Sequence, residues 1–275
     1  MKIVKTAMLM ILALSVGVFG VSVIISLAGR DASAPVITSD TDVLEIPCDY
    51  TQDQLMAGLS ASDAEDGDLT DQIVAGSFSR FVTPGVTSLT YVVFDSGNQP
   101  ASLTREVHFT DYHGPRFTLS EPLVFREQEG SYTEAMERLG AQDQLDGDLD
   151  DWITQTDTDL NYSRAGRYTM SVEVNSSLGS SASADLPVHV VSAESQQVHI
   201  GLTQGIVYIP QGGSIDPKDY IDEVTDGSGN PVDASSVSAD SGVDVNTPGC
   251  YEIHYTADSG AGETWLTVIV EGGES

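Results

Sequence analysis

Positive charge is what this 275-residue chain has least of: 11 Lys and Arg stand against 42 Asp and Glu. Beyond Arg30 the imbalance steepens, with 8 basic and 42 acidic residues over 31–275 and Lys218 as the only lysine. Such a surface repels nucleic acid and anionic lipid, which excludes a nucleic-acid partner. Cysteine is nearly absent. Cys48 and Cys250 lie near opposite ends of the chain, too few for a disulfide framework, so buried or half-buried thiols are expected. There is no HExxH, no CxxC, no phosphate-binding glycine loop and no GxSxG elbow, the patterns that announce metalloproteases, redox enzymes, nucleotide binders and hydrolases. Ser259, among glycines, has no evident partner base. No two of His108, His113, His189, His199 and His254 have metal-pair spacing, and lone surface histidines are expected. Trp152 and Trp265 are expected to pack structurally rather than stack on sugar. The chain reads as non-enzymatic, with no cofactor.

One long apolar run is present. Thr6 to Gly29 is 24 residues without a charge; as a helix it would span about 36 Å against a hydrocarbon core of about 30 Å. Lys2 and Lys5 precede it and Arg30 follows. Residues 1–30 therefore read as a signal anchor, partnered to the membrane through residues 6–29. The positive-inside rule puts the N-terminus in the cytoplasm and the rest outside. The alternative is a signal peptide cleaved near Ala28, although the run exceeds the usual apolar region of such peptides. Both place the remainder outside the cell.

The remainder repeats itself. TPGVTSLTYVVFDSGN (83–98), RAGRYTMSVEVNSSLG (164–179) and TPGCYEIHYTADSGAG (247–262) each run turn, alternating strand, turn. Leu89, Tyr91 and Val93 share one face, as do Tyr168, Met170, Val172 and Val174, and then Tyr251, Ile253 and Tyr255. Period two over this length marks half-buried strands. A closing strand follows each time: Val107 and Phe109, then Leu186, Val188 and Val190, then Leu266, Val268 and Val270. DYTQDQLMAGL and GSYTEAMERLG suggest brief helical turns. The reading is all-β: three tandem antiparallel β-sandwich domains, 36–111, 114–192 and 198–271, joined by the short links Tyr112-His113 and Ala193 to Gln197, after the N-terminal transmembrane helix.

A second landmark recurs twice. DAEDGDLTDQI (63–73) and DQLDGDLDDWI (143–153) agree at seven of eleven positions. Carboxylates so dense could supply oxygens to calcium, which takes six to eight. The candidate ligands are Asp63, Glu65, Asp66, Asp68 and Asp71, then Asp143, Asp146, Asp148 and Asp151. The spacing is not that of an EF-hand. A corner of the fold explains the same residues: Asp66-Gly67 as a turn pair, Asp68 capping a helical turn with Asp71 at its third position, Leu69 and Ile73 plugged inward. The second copy keeps the turn, cap and plug residues and replaces Glu65 by Leu145. That favours the corner and leaves calcium as the alternative.

The run Ala61, Asp63, Glu65, Asp66, Gly67, Asp68, Leu69, Thr70, then Thr83-Pro84-Gly85, Tyr91 and Asp95-Ser96-Gly97-Asn98 resembles the Ig-like domains of bacterial surface proteins. It is similar also to cadherin-like and hyalin-repeat modules. The second repeat replaces Thr-Pro-Gly by Arg164-Ala165-Gly166; the third keeps Thr247-Pro248-Gly249 and Asp258-Ser259-Gly260 but has DGSGNPVD (226–233) for the acidic motif. The resemblance implies three Ig-like sandwiches on a cell surface and no single activity. The expected role is surface adhesion, ligand presentation or spacing, toward an extracellular protein or glycan. The alternative is a secreted carbohydrate-binding or enzyme-accessory protein.

Overall fold

Alternation puts one face of a strand in a core and the other in water. In the computed structural model, which describes residues 8, 12, 14–22, 33–258 and 262–272, Leu89, Tyr91 and Val93 are at most 1% exposed. The strands fall into three successive pairs of sheets. In the first, β1 (Val36–Ser39), β3 (Leu59–Asp63) and β4 (Gly67–Asp68) form one sheet. β2 (Val43–Ile46), β7 (Pro100–Phe109), β6 (Val86–Phe94) and β5 (Val74–Phe78) form the other, in that order. The second pair repeats the order with β8 (Arg116–Leu119), β10 (Leu139–Asp143) and β11 (Gly147–Asp148), against β9 (Val124–Arg126), β14 (Ser181–Val191), β13 (Gly166–Asn175) and β12 (Thr154–Thr158). The third has β15 (Val198–Leu202) with β17 (Ile221–Asp226), and β16 (Ile206–Pro210), β20 (Glu263–Glu271), β19 (Gly249–Ala257) and β18 (Val237–Ser241). By contact these make two compact units, one ending at Thr110 and one beginning at Asp111.

The expected sandwiches were wholly antiparallel; each sheet pair contains one parallel pairing. β2 runs parallel to β7, β9 to β14 and β16 to β20. The cause is a break in the opening strand. β1 pairs antiparallel with β3, then the chain bends at Asp40–Asp42 and β2 joins the edge of the other sheet beside its closing strand.

Both brief helices form. In α1 (Gln52–Met56) Thr51 and Gln54 cap each other reciprocally; in α2 (Tyr132–Arg138) Ser131 accepts from the N–H of Glu134. Each caps orphan donors that would otherwise need water. In the first unit Arg105, 1% exposed, reaches across the core beside Tyr91. It donates to Ala57 O at 2.7 Å, to Tyr91 Oη at 2.7 Å and to Leu55 O, while Tyr91 itself donates to Leu55 O at 2.8 Å.

In the second unit the two sheet pairs share packing. Ile206, on β16, is 5% exposed and lies in the same cluster as Phe117, Leu119 and Met170. The Phe117 N–H donates to Tyr208 Oη at 2.8 Å and the Gly205 N–H to Leu119 O at 3.0 Å. A Cβ at Gly205 would sit 2.7 Å from Leu119 Cβ and 2.8 Å from the Glu121 backbone, so only glycine allows this approach. Arg116 donates twice to Glu271, at 2.9 and 2.6 Å, a fork that fixes orientation as well as charge.

Of the apolar run, Met8, Leu12 and residues 14–22 are helical, and the remainder of 6–29 lies outside the described residues. Among the described residues no helix is long and apolar enough to cross a membrane.

Candidate functional site

The acidic motif forms a corner where β3 folds back on β4. Gly67 takes φ +76°, as the Asp-Gly turn requires. Asp63 is 8% exposed. Its Oδ1 accepts the N–H of Glu65 at 2.7 Å and of Asp66 at 3.1 Å, and Ser33 donates to both its oxygens. The Glu65 N–H foremost, then that of Asp66, holds this carboxyl below its ordinary value. Asp66 accepts from the Ser96 N–H at 2.7 Å, tying the corner to the β6–β7 turn. Leu69 and Ile73 are buried, as expected of plugs.

The capping detail differs from expectation. The turn is a 3-10 turn of Thr70–Gln72 with Leu69 at the cap position. Asp68 instead accepts from the Thr70 N–H two residues on, at 2.9 Å, and Asp71 lies inside the turn rather than at a third helical position. The turn starts one residue later than an Asp68 cap requires, so the Asp68 carboxylate meets the N–H of its first residue.

The second corner keeps this wiring. Asp143, 5% exposed, accepts from the N–H groups of Leu145 and Asp146; Asp146 accepts from Ser177; Asp148 accepts from the Asp150 N–H. Gly147 again takes φ +76°. The N–H of Ala61 is satisfied by Thr70 Oγ1 and that of Ala141 by Asp150 Oδ1, one task done by different side chains. In the third repeat Asp226 accepts from Ser228 and Asn230, and Asp233 from Ser235, so the looser motif builds a related turn.

The corners part at one point. In the second, Tyr112 is 6% exposed and donates to Asp143 Oδ2 at 2.8 Å; burial foremost, with that acceptor, pushes its phenol up. A residue read as linker is thus part of the corner. In the first, Asp95 stands where the second has Ser176. Asp95 is 7% exposed; its Oδ1 accepts the Gln99 N–H at 2.6 Å and its buried Oδ2 has no partner among the described residues. Glu65, Asp68, Asp71, Asp148 and Asp151 are exposed. Among the described residues no three His, Cys, Asp or Glu side chains gather as a metal site.

A second cluster lies within the Asp111–Ser275 unit and corrects the histidine expectation. His189 is 8% exposed, not a surface residue. Its Nε2 lies 2.5 Å from Glu252 Oε1, and its ring stacks on Trp265 with centroids 3.8 Å apart. His254 stacks on the same indole at 4.3 Å. Arg167 donates to Glu252 Oε2 at 2.7 Å. Burial raises the Glu252 carboxyl, but His189 and Arg167 together outweigh it and hold the group below its ordinary value. Trp265 packs structurally, as expected. Trp152 does not: it is 68% exposed, because the 3-10 turn that carries it points that position away from the core. Cys250 is exposed rather than buried and Cys48 is half-buried, with no disulfide between them.

Arg105, His189, Tyr112 and Asp95 are among the buried polar groups that sequence reading missed. Parity was the available signal for Arg105, which shares a strand face with Val107 and Phe109.

No family model matches the chain. Pesticidal crystal protein Cry22Aa of Bacillus thuringiensis is 31% identical over 140 residues, half of this chain and 19% of that protein. The chain thus spans about a fifth of that relative's length. Among solved structures, Drosophila N-cadherin EC1-3 is similar at 11% identity and a TM-score of 0.31, over 89% of this chain and 90% of that one. The CBM51-2 and INT domains of Clostridium perfringens ZmpB, solved with GlcNAc, are similar at 19% identity and a TM-score of 0.23, over 52% and 28%. Likenesses of this size carry no argument about activity.

Proposed function

We propose that this chain is a non-enzymatic extracellular protein in which tandem Ig-like modules hold a binding surface in a fixed orientation for a protein or glycan partner, anchored through residues 6–29. The observation that carries the reading is the shared packing of the second and third sheet pairs. Ile206 sits in the neighbouring core and Arg116 is forked onto Glu271. Such a junction suits a display scaffold, since a preset geometry lowers the ordering cost of binding. Protease treatment of intact cells tests it: residues 31–275 are expected to be shaved off, and their full protection would sink the topology.

The secreted carbohydrate-binding alternative is favoured by one feature, the exposed indole of Trp152. An accessible flat aromatic ring has an apolar face to offer a sugar. N-terminal sequencing of the mature protein separates the two readings, since the alternative requires cleavage near Ala28. A glycan array comparing wild type with Trp152→Ala then decides whether sugar is bound there.

Calcium at the first corner is favoured over calcium at the second by the unpartnered Oδ2 of Asp95, beside the Asp63 network. A buried carboxylate oxygen without a donor is costly, and a cation would satisfy it. Calorimetric Ca²⁺ titration is expected to give heat with wild type and none with Asp95→Asn; a silent wild type removes the reading.

A further inference from the structure

Within the Asp111–Ser275 unit, β8 is an edge strand that pairs with β10 on one side only. Its core residues, Phe117 and Leu119, lie opposite Ala141 and Leu139. These opposed residues do not bond across the ladder. The Ala141 N–H goes to Asp150, its carbonyl accepts from the Leu149 N–H, and the Leu139 N–H goes to Met136. In an antiparallel ladder such residues turn both backbone groups toward the open edge. There the Phe117 N–H donates to Tyr208 Oη, and the Leu119 carbonyl accepts from the Gly205 N–H. The Phe117 carbonyl and the Leu119 N–H are left without a partner among the described residues. Yet the two residues are only 2% and 3% exposed, and buried backbone groups are rarely left unpaired.

The same two residues line a cleft of about 430 Å³ between β8 and the start of β16, a volume typical of small-ligand sites. Its charged groups are already engaged. Arg116 is forked onto Glu271 and covers the Tyr208 ring, 5.2 Å from its centroid. Asp143 accepts from Tyr112, Leu145 and Asp146. His113 Nδ1 lies 2.9 Å from Gly114 O. What faces the cleft besides these is neutral. Gln142, Gln204 and Thr118 are exposed at its rim, and the Tyr208 hydroxyl keeps its proton to donate while its oxygen accepts.

We propose that this cleft binds an uncharged saccharide of one or two rings. Vicinal sugar hydroxyls each donate and accept, which is what a lone carbonyl, a lone N–H and two planar amides call for together. A charged ligand would find no free counter-charge to offset its desolvation. An extended peptide would also suit the carbonyl and the N–H, but it makes less use of the two amides at the rim. The proposal deepens the glycan side of the surface role and places the sugar away from Trp152.

The test is a methyl-NMR titration of the full chain in a zwitterionic detergent with maltose, cellobiose and lactose in turn. At least one is expected to give saturable shifts at Leu119, Ile206 and Val207, and tetraglycine none. Q142A/Q204A is expected to weaken that binding about tenfold, as loss of hydrogen bonds worth about 1.4 kcal/mol gives, and Trp152→Ala is expected to leave it unchanged. Both glutamines are exposed, so the fold is retained. No saturable shift with any of the three, equal binding of tetraglycine, or unchanged affinity in Q142A/Q204A would each overturn the proposal. Sugar shifts confined to the surroundings of Trp152 would also overturn it, while leaving the glycan reading standing.

Discussion

Arg105 shows at single-residue scale how this protein tolerates a charge in a core. Its guanidinium finds carbonyls and a phenol instead of a carboxylate, and lies 4.8 Å from the Tyr91 ring. The equivalent cross-strand position is Leu186 opposite Met170 in the second repeat and Leu266 opposite Ile253 in the third. The fold therefore accepts leucine there. Arg105→Ala is expected to destabilise the first unit by about 3 kcal/mol through cavity and lost hydrogen bonds. Arg105→Leu is expected to cost less; urea melts of the two variants check the order. At Tyr112, removing the hydroxyl with Tyr112→Phe strips Asp143 Oδ2 of its donor, at a cost of about 1–2 kcal/mol readable in the same melts. Parity along a strand revealed which residues faced inward. It could not reveal which polar groups would be satisfied there, because the partners Leu55, Ala57 and Asp143 come from distant segments.

At the scale of elements, the alternating strands and the two helical turns were legible because both depend on local periodicity and capping residues. The parallel pairings were not, since the bend at Asp40–Asp42 that redirects β2 has no periodicity of its own. The corner was legible in its turn, Gly67, and its plugs, Leu69 and Ile73. Its capping was misread by one residue, since Leu69 and not Asp68 stands at the cap position of the turn. The turn carries a clear expectation. No heavy atom lies within 4 Å of a Cβ added at Gly67 or Gly147, so alanine at either meets no clash. Each Gly→Ala change is nevertheless expected to cost about 1–2 kcal/mol, because φ +76° is unfavourable for an L side chain. Thermal melts of the single variants, with equal losses at both corners, would confirm that the two copies are equivalent as backbone devices.

For the whole molecule, titration separates the contributions. The Glu252 carboxyl lies below its ordinary 4.5, so its stabilisation is fully present above that pH and is lost as pH falls through the lower folded value. The melting-temperature gap between wild type and Glu252→Gln is expected to narrow below pH 4.5. At the alkaline end, burial pushes Tyr162 and Tyr208 up to about 12 and raises Tyr112 and Tyr255 above their ordinary 10. These four phenols stabilise the Asp111–Ser275 unit fully below pH 10 and progressively less above it. The phenolate absorbance of these four tyrosines should rise together with unfolding of this unit, not before it.

The parallel pairing of opening and closing strands also decides how each sheet pair answers to force. β2 and β7 run side by side in one direction, as do β9 with β14 and β16 with β20. A pull on the two ends of such a module drags these neighbours past each other along their length. Their hydrogen bonds are then loaded together in shear rather than broken one at a time by peeling. A tether built this way resists tension better than its thermal stability alone would suggest. Single-molecule stretching is expected to show high rupture peaks, lowered when proline replaces Leu44 or Val207 within the loaded strands.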